Sequence, residues 1–296
     1  MDQNLLLITA AYNERDTISK LIESVLKQSI KPLRWIIVDD GSTDTTAEIV
    51  HEYQQKHSFI QLEQVKAEEK QHSFSAKVHA LNLAISKLDL SQAEFIGILD
   101  ADIELPDNYF SVLLDRMNND SSLGIAGGVI LPFYDGFSHP SERRRDCDSV
   151  AGAVQMFKKK CFLDIGSQFL MLPFGGEDSA MEIIARAKGW ITKTFWDIEV
   201  THFGSIGSAI DSSSTFRFRK GITNFCLGYG FLFFSTRLLY RVKDTPFFIG
   251  SVIELAGFIY ARFLYKKPFL PKPIIRKLRR IQRNRILSLT RIPYKK

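Results

Sequence analysis

Cysteine is scarce in this 296-residue chain: Cys147, Cys161 and Cys226 are scattered and odd in number. That excludes a disulfide framework or a zinc knuckle, and free thiols in a reducing compartment are expected. A basic leader is missing too. The N-terminal MDQNLLLITAAYNERD has an acid where a signal peptide carries positive charge, and its apolar run is short, so no secretory leader is expected. Internal repeats and low-complexity segments are absent. With 45% hydrophobic and 24% charged residues, the composition is that of a globular protein with a large core, not of a disordered chain. The most local absence is acid at the C-terminal end. Residues 266–296 hold 12 Lys/Arg and no Asp or Glu, whereas the other 265 residues carry 27 basic and 33 acidic side chains. The overall charge of +6 therefore hides an acidic body with a basic tail, and such a tail points to an anionic partner, either a polyanion or a membrane surface.

What is present begins with alternating strand and helix signals over the first 130 residues, the pattern of an α/β sheet. LLLITA (5–10), WIIVDD (35–40), FIQLEQV (59–65), EFIGILDAD (94–102) and GIAGGVIL (124–131) read as strands. Between them, Ile18, Leu21, Ile22, Val25 and Leu26 recur at helical spacing, and AKVHALNLAISKL (76–88) places its apolar residues on one face. Thr45 and Glu48 are spaced as a capping box for a helix ending near Gln55. PDNYFSVLLDRM (106–117) reads as a helix with proline in its first turn. After a polar loop at 132–149, AGAVQMF (151–157) reads as a strand and KKKCFLDIG as a short helix stopped by Gly166. EDSAMEIIARAKGW is a helix opened by two acids and closed by Gly189, and ITKTFWDIEVTHFG (191–204) is strand-like. Two hydrophobic stretches, 222–240 and 246–265, follow a boundary near 210.

Acids gather at the C-terminal ends of the expected strands. Asn13 and Glu14 follow the first, Asp39 and Asp40 end the second, and Asp100 and Asp102 end the fourth. In an open α/β sheet this edge is where ligands bind. Asp44 and Asp107 are accounted for as helix caps. Asp100 and Asp102 are not, because IELP follows them. Two carboxylates one residue apart suit a hard divalent cation that bridges to phosphate oxygens.

TAAYNE (9–14), DDGSTD (39–44), SAKVHALN (75–82), DAD (100–102) and GGED (175–178) occur in this order. Together, over about residues 4–210, they resemble the family 2 glycosyltransferases. The resemblance implies the GT-A nucleotide-sugar-binding fold, α/β with a mostly parallel central sheet, over residues 1–210. A helical, membrane-associating region over 211–296 would follow. It also implies that Ala11, Tyr12, Glu14 and Asp39 hold the nucleotide, and that Lys77 and Asp100 contact its ribose or phosphates. Asp102, the last acid of the DxD motif, would bind Mn²⁺ or Mg²⁺. Asp178 matches the catalytic base, with Glu177 supporting it or binding acceptor. Gly175 and Gly176 allow close backbone approach there, and the helix start stabilises a carboxylate. His202, in VTHFGS, matches a histidine that several relatives use on metal or diphosphate, and as a lone histidine after a strand it reads equally as structural. His51, His57, His72, His79 and His139 are given no role. Processive synthases of the family carry a QxxRW motif after the catalytic acid. Here FRFRKG (216–221) stands in that region, so one sugar per encounter is expected. Arg217, Arg219 and Lys220 read either as phosphate ligands or as a basic helix face at a membrane.

TPFFIGSVIELAGFIYARFLY approaches the length needed to cross a bilayer, but Glu254 lies at its centre. An isolated acid there costs about 2.5–3.5 kcal/mol. The earlier stretch runs into Arg237 and Arg241. The two read as a helical hairpin in one leaflet or as ordinary core. The basic tail favours an anionic membrane surface on the cytoplasmic face. Nucleic acid is not expected as a partner, since no nucleic-acid module is present and the body is acidic. The expected function is inverting, metal-dependent transfer of one sugar from a nucleotide-sugar donor, UDP-linked by resemblance. The acceptor would be a carbohydrate or lipid-linked hydroxyl in polysaccharide or glycolipid synthesis. Two alternatives stay open. A nucleotidyltransferase would show a glycine-rich basic loop where this chain has AAYNERD, and an inactive membrane scaffold would not need Asp102 and Asp178.

Overall fold

The computed structural model describes residues 4–65, 75–134, 137–138, 148–204, 213–240 and 248–290. Most of the expected polar loop at 132–149, with Cys147 and His139, lies outside the described residues, as do His72, Arg241, the boundary near 210 and residues 291–296. The chain forms two compact units. The first comprises Met1–Met171 and Glu177–Ile206, the second Leu172–Gly176 and Gly207–Lys296.

The first unit is built on one mixed sheet. In chain order its elements are β1 (Leu5–Ala11), α1 (Ile18–Lys27), β2 (Arg34–Asp39), α2 (Thr46–Lys56), β3 (Ile60–Gln64) and α3 (Ala76–Lys87). Then come β4 (Phe95–Leu99), β5 (Ile103–Glu104), α4 (Tyr109–Asn119), β6 (Leu123–Tyr134) and β7 (Phe137–Ser138). The unit closes with β8 (Val154–Lys158), α5 (Lys159–Asp164), α6 (Glu177–Lys188) and β9 (Ile191–His202). The described strands lie in the order β3-β2-β1-β4-β8-β6-β9-β5, with β7 on β6. Neighbours from β3 to β4 pair in parallel, as do β6 and β9. β8 runs antiparallel to both β4 and β6. Strand periodicity divides the core between the two sheet faces. Leu5, Leu7, Trp35, Ile37 and Phe95 pack with α1 and α4 on one side. Leu6, Ile8, Ile36, Val38 and Ile96 pack with α3 and α6 on the other. Because both faces are covered, β1 is apolar along almost its whole length.

Three local expectations are corrected. Thr45 makes no side-chain capping bond. Its neighbour Asp44 takes that role, accepting the Thr46 N–H at 3.0 Å. The helix after Pro106 begins only at Tyr109, because Pro106–Asn108 form a turn that closes with the Tyr109 N–H donating to the Pro106 carbonyl at 3.0 Å. Residues 151–153 are not strand. They form a strap leading into β8, which starts at Val154. Cys161 and Cys226 are free, and burial pushes both thiols up to about 12.

The second unit contains α7 (Ser213–Cys226), α8 (Phe231–Tyr240), α9 (Ile249–Tyr265) and α10 (Lys272–Thr290). The stretch 222–240 is not continuous: the chain turns at Gly228, where φ is +84°, a conformation that glycine adopts without penalty. Glu254 is not isolated. It is fully buried, and the Arg217 guanidinium of α7 lies 3.6 Å from its carboxylate. Two glycines allow α7 and α9 to approach this closely: a Cβ at Gly221 would collide with the Glu254 carbonyl, and one at Gly257 with the Phe218 carbonyl. Among the described residues, no helix is long and apolar enough to cross a membrane.

Candidate active site

The order β3-β2-β1-β4 sends the chain to opposite sides of β1, which opens a crevice beyond the C-terminal ends of β1 and β4. A cleft of about 200 Å³ occupies this place, lined by Ala11, Tyr12, Glu14, Asp40, Lys77, Asp100 and Asp102 with Ala10 and Ala101. Its floor is stitched from the loops after β1 and β2. Asn13, in the left-handed region at φ +56°, accepts the Thr43 N–H at 2.8 Å and donates its own N–H to the Ser42 hydroxyl at 2.9 Å. The Glu14 N–H donates to Thr46 Oγ1 at 2.8 Å. The hydroxyls of Ser42 and Thr46 therefore fix the backbone that presents Tyr12 and Glu14. Asp39 is buried under this loop, where it accepts the Ser42 N–H at 3.2 Å, and the adjacent Asp40 lines the cleft.

Charge in the cleft is organised around Lys77. Its ammonium lies 2.5 Å from Asp100. Burial disfavours that charge, but Asp100, Glu177 and Asp178 outweigh it and hold Lys77 above its ordinary range. Burial raises Glu14 to about 7 against a hydrogen bond from Thr17, with Asp102, Asp100 and Asp44 adding to the rise. Glu177 is raised by burial and by Asp178, with Lys77 opposing. The cleft thus concentrates more carboxylate than its one lysine balances.

Asp102 meets His202 through a pairing too short to read in sequence. β5 is only two residues long, and its Ile103 pairs with His202 at the end of β9. This puts His202 Nε2 3.3 Å from Asp102 Oδ2. The other ring nitrogen, Nδ1, lies 2.8 Å from the Gly204 carbonyl. A carbonyl only accepts, so Nδ1 donates to it, which leaves Nε2 turned towards the Asp102 carboxylate. Burial and Asp100 raise Asp102 while His202 lowers it. A carboxylate and an imidazole facing one another, with the imidazole oriented by a backbone carbonyl, are the ligand types of a divalent-cation site. Gly204 completes the cradle, since a Cβ there would collide with Asp102 Oδ2. Among the described residues, no group of three or more His, Cys, Asp or Glu is placed to hold a metal ion. Asp102 and His202 are the residues that would hold a divalent cation.

Glu177 and Asp178 form the first turn of α6, where the helix dipole favours negative charge. Asp178 Oδ1 accepts the Ser179 N–H at 2.6 Å. Within the second unit, Arg217 pairs with Glu254. Arg219 lies over the Phe174 ring and Lys220 over Phe216.

The family model "Glycosyl transferase family 2" matches residues 6–178, more than half of the chain and the whole series of motifs from the first strand to Asp178. The chain belongs to that family.

Among curated relatives of this glycosyltransferase, a poly-beta-1,6-N-acetyl-D-glucosamine synthase of Staphylococcus epidermidis is 27% identical over 155 residues, 52% of this chain and 32% of the synthase. The match thus spans about a third of that relative's length. Two solved structures share the GT-A fold. S. aureus TarS 1-349 in complex with UDP-GlcNAc superposes with a TM-score of 0.55 at 17% identity, covering 88% of this chain and 73% of that one. The mannosyltransferase PcManGT of Pyrobaculum calidifontis, in complex with GDP-Man and Mn²⁺, gives 0.55 at 17% identity, covering 99% and 88%.

Sequence reasoning missed several residues of this glycosyltransferase site. Asp40, given no role beyond its place at a strand end, lines the cleft. Gly152 lies against the Asp178 carboxylate, where a Cβ would be 2.9 Å from Oδ2. Glu182 and Arg186 hold the strap that contains Gly152. A signal for them existed: Asp178, Glu182 and Arg186 recur every fourth residue, which puts them on one stripe of α6.

Proposed function

We propose that the chain transfers a single sugar from a nucleotide-sugar donor, UDP-linked, to an acceptor hydroxyl, with inversion at the anomeric carbon. The observation that carries this reading is the convergence of Lys77, Asp100, Asp102, Glu177, Asp178 and His202 on the cleft edge of the sheet. Asp178 accepts the proton of the acceptor hydroxyl as that oxygen attacks the anomeric carbon. The bond from that carbon to the diphosphate oxygen breaks on the opposite face, through an oxocarbenium-like transition state. Lys77 faces the developing negative charge of the diphosphate, and Tyr12, Glu14 and Asp39 hold the nucleoside end. Asp102 and His202 would hold a Mn²⁺ or Mg²⁺ ion, which would add neutralisation of the leaving diphosphate. The UDP-GlcNAc and GDP-Man held by the two structural neighbours support a nucleotide-sugar donor.

The same reading puts the enzyme at the cytoplasmic membrane face, acting on a carbohydrate or lipid-linked acceptor in polysaccharide or glycolipid synthesis. Its support is the inverted polarity of α9. That helix turns Val252, Ile259, Tyr260, Phe263 and Leu264 outward, with Phe263 77% exposed, and keeps Glu254 at 0%. Apolar residues on the outer face and a charge on the inner one suit a helix lying in a bilayer interface. The basic side chains of α10 supply attraction to anionic lipid.

Thermal unfolding with UDP-GlcNAc and GDP-mannose, each with Mn²⁺ and with EDTA, tests the donor site. A donor at a hundred times its Kd adds about 2.7 kcal/mol of stability. Absence of any stabilisation across a panel of nucleotide sugars, together with absence of donor hydrolysis, would refute the reading.

A further inference from the structure

The strap Asp148–Ala153 is fastened at both ends and in the middle. At its start, Arg186 donates to the Asp148 carbonyl at 2.6 Å and to Thr192 Oγ1 at 2.9 Å. Glu182 accepts the Val150 N–H and lies 3.2 Å from Arg186. Thr194 donates to the Ser149 carbonyl at 2.5 Å. At its end, the Ala153 carbonyl accepts the Asp100 N–H at 3.0 Å. Between these points Gly152 rests on the Asp178 carboxylate with no room for a side chain. One short segment therefore touches the candidate base and the backbone of the DxD acid, and its anchor is a carboxylate one helical turn beyond that base.

Glu182 is 2% exposed, and burying a carboxylate is costly unless its oxygens are well satisfied. A leucine or methionine would fill the same place in α6 without that cost. Hydrogen bonding explains the acid: an apolar side chain cannot accept the Val150 N–H or hold Arg186 on the Asp148 carbonyl. Burial raises Glu182 to about 7, with Arg186 and the Val150 N–H opposing and Asp178 adding to the rise.

We infer that Glu182 is a positioning residue for the transfer reaction: through Val150 and Arg186 it tightens the strap, and the strap fixes the Asp178 carboxylate in its reactive orientation. This inference rests on Asp178 acting as the base. Its effect falls on the acceptor side, because Glu182 holds the Asp148–Val150 end of the strap and not the Ala153 end that meets Asp100.

The experiment combines hydrogen exchange with kinetics on the full chain. In Glu182→Ala, amides of residues 148–153 should exchange at least about tenfold faster while those of β1 and α3 keep their parent rates. Hydrolysis of UDP-GlcNAc or GDP-mannose, whichever stabilises the parent, should lose about tenfold in kcat with donor KM within about twofold. Glu182→Gln keeps an oxygen for the Val150 N–H and should recover most of both losses, and it carries the test if the alanine variant does not fold. Parent-like exchange in the strap would overturn the anchoring role. A loosened strap with parent-like kcat would overturn the link to Asp178, and a glutamine variant as impaired as alanine would overturn the hydrogen-bond argument. A parent without transfer or hydrolysis on any nucleotide sugar refutes the reaction instead, and the exchange measurement still decides whether Glu182 holds the strap.

Discussion

In the first unit the apolar side chains of β1, β2 and β4 are sealed between helices, and acids stand at the strand ends around a cleft. In α9 of the second unit the arrangement is reversed, with an ion pair and two glycines on the inside and valine, isoleucine, tyrosine and phenylalanine on the outside. Buried charge thus has different meanings in the two units. Around the cleft, Glu14, Asp102 and Glu177 are each driven upward by burial, which is the environment from which acid–base and ligand-binding groups are drawn. At the crossing of α7 and α9, the Arg217 guanidinium lies 3.6 Å from the buried Glu254 carboxylate, an ion pair within the unit. The first arrangement gathers charge around a cleft, whereas the second pairs charge between two helices.

Substitution should separate these two uses, most sharply at the base. Asp178→Asn should reduce transfer by at least about a hundredfold, since a general base contributes on that scale. Donor binding, followed by thermal shift, should be largely kept, and parent-like turnover would remove Asp178 from the role. In the second unit, Glu254→Ala should destabilise by about 3–5 kcal/mol, because it strands a buried guanidinium. Joint replacement by Arg217→Met and Glu254→Leu should restore most of that stability in urea unfolding. If the single variant is neutral, the pair does not fasten the crossing.

At the cation site the expected change is smaller. Asp102→Ala and His202→Ala should each weaken Mn²⁺-dependent donor binding by at least about tenfold, and EDTA should reproduce the defect in the parent. Full activity of metal-free protein would sink the assignment of Asp102. For His202, a loss of thermal stability with unchanged Mn²⁺ dependence would mark the ring as structural only. The smallest change in stability, within about 0.5 kcal/mol, is expected for serine at Val252 and Phe263 on the outward face of α9. Partition onto anionic vesicles should nevertheless fall, since each lost side chain removes about 1.5–3 kcal/mol of apolar burial. Unchanged partition with reduced stability would make α9 an ordinary core helix.

Much of the first unit was legible from residue order alone. Buried parallel strands announce themselves as apolar runs, and Gly166 and Gly189 mark helix ends through their positive φ. DAD and GGED stood out through their place in the ordered series of motifs, since an acid at a helix start serves as readily as a cap. What stayed hidden depended on partners distant in sequence. β8 was legible as a strand, but nothing in VQMFK shows that it enters antiparallel between β4 and β6. The contact between Asp102 and His202 hangs on a two-residue strand, below the length at which periodicity carries a signal. The hydropathy of 246–265 gave the right composition and the wrong emphasis. An average over the stretch counts Glu254 as a penalty, and only the crossing with α7 reveals Arg217 as its partner.

The glycines at that crossing leave a mark that outlasts any single molecule. Gly221 and Gly257 each face a backbone carbonyl of the opposite helix, at a distance no Cβ tolerates. Over evolutionary drift the two faces of α9 should therefore age differently. The outward positions can exchange freely among valine, isoleucine, leucine and phenylalanine, because they stand on the exposed face of the helix. The inward glycines can exchange with nothing, because even a methyl group would force the helices apart. A saturation library of α9 selected for folding should record this as tolerance for any apolar residue at 252, 259 and 263, and none for any residue but glycine at 257.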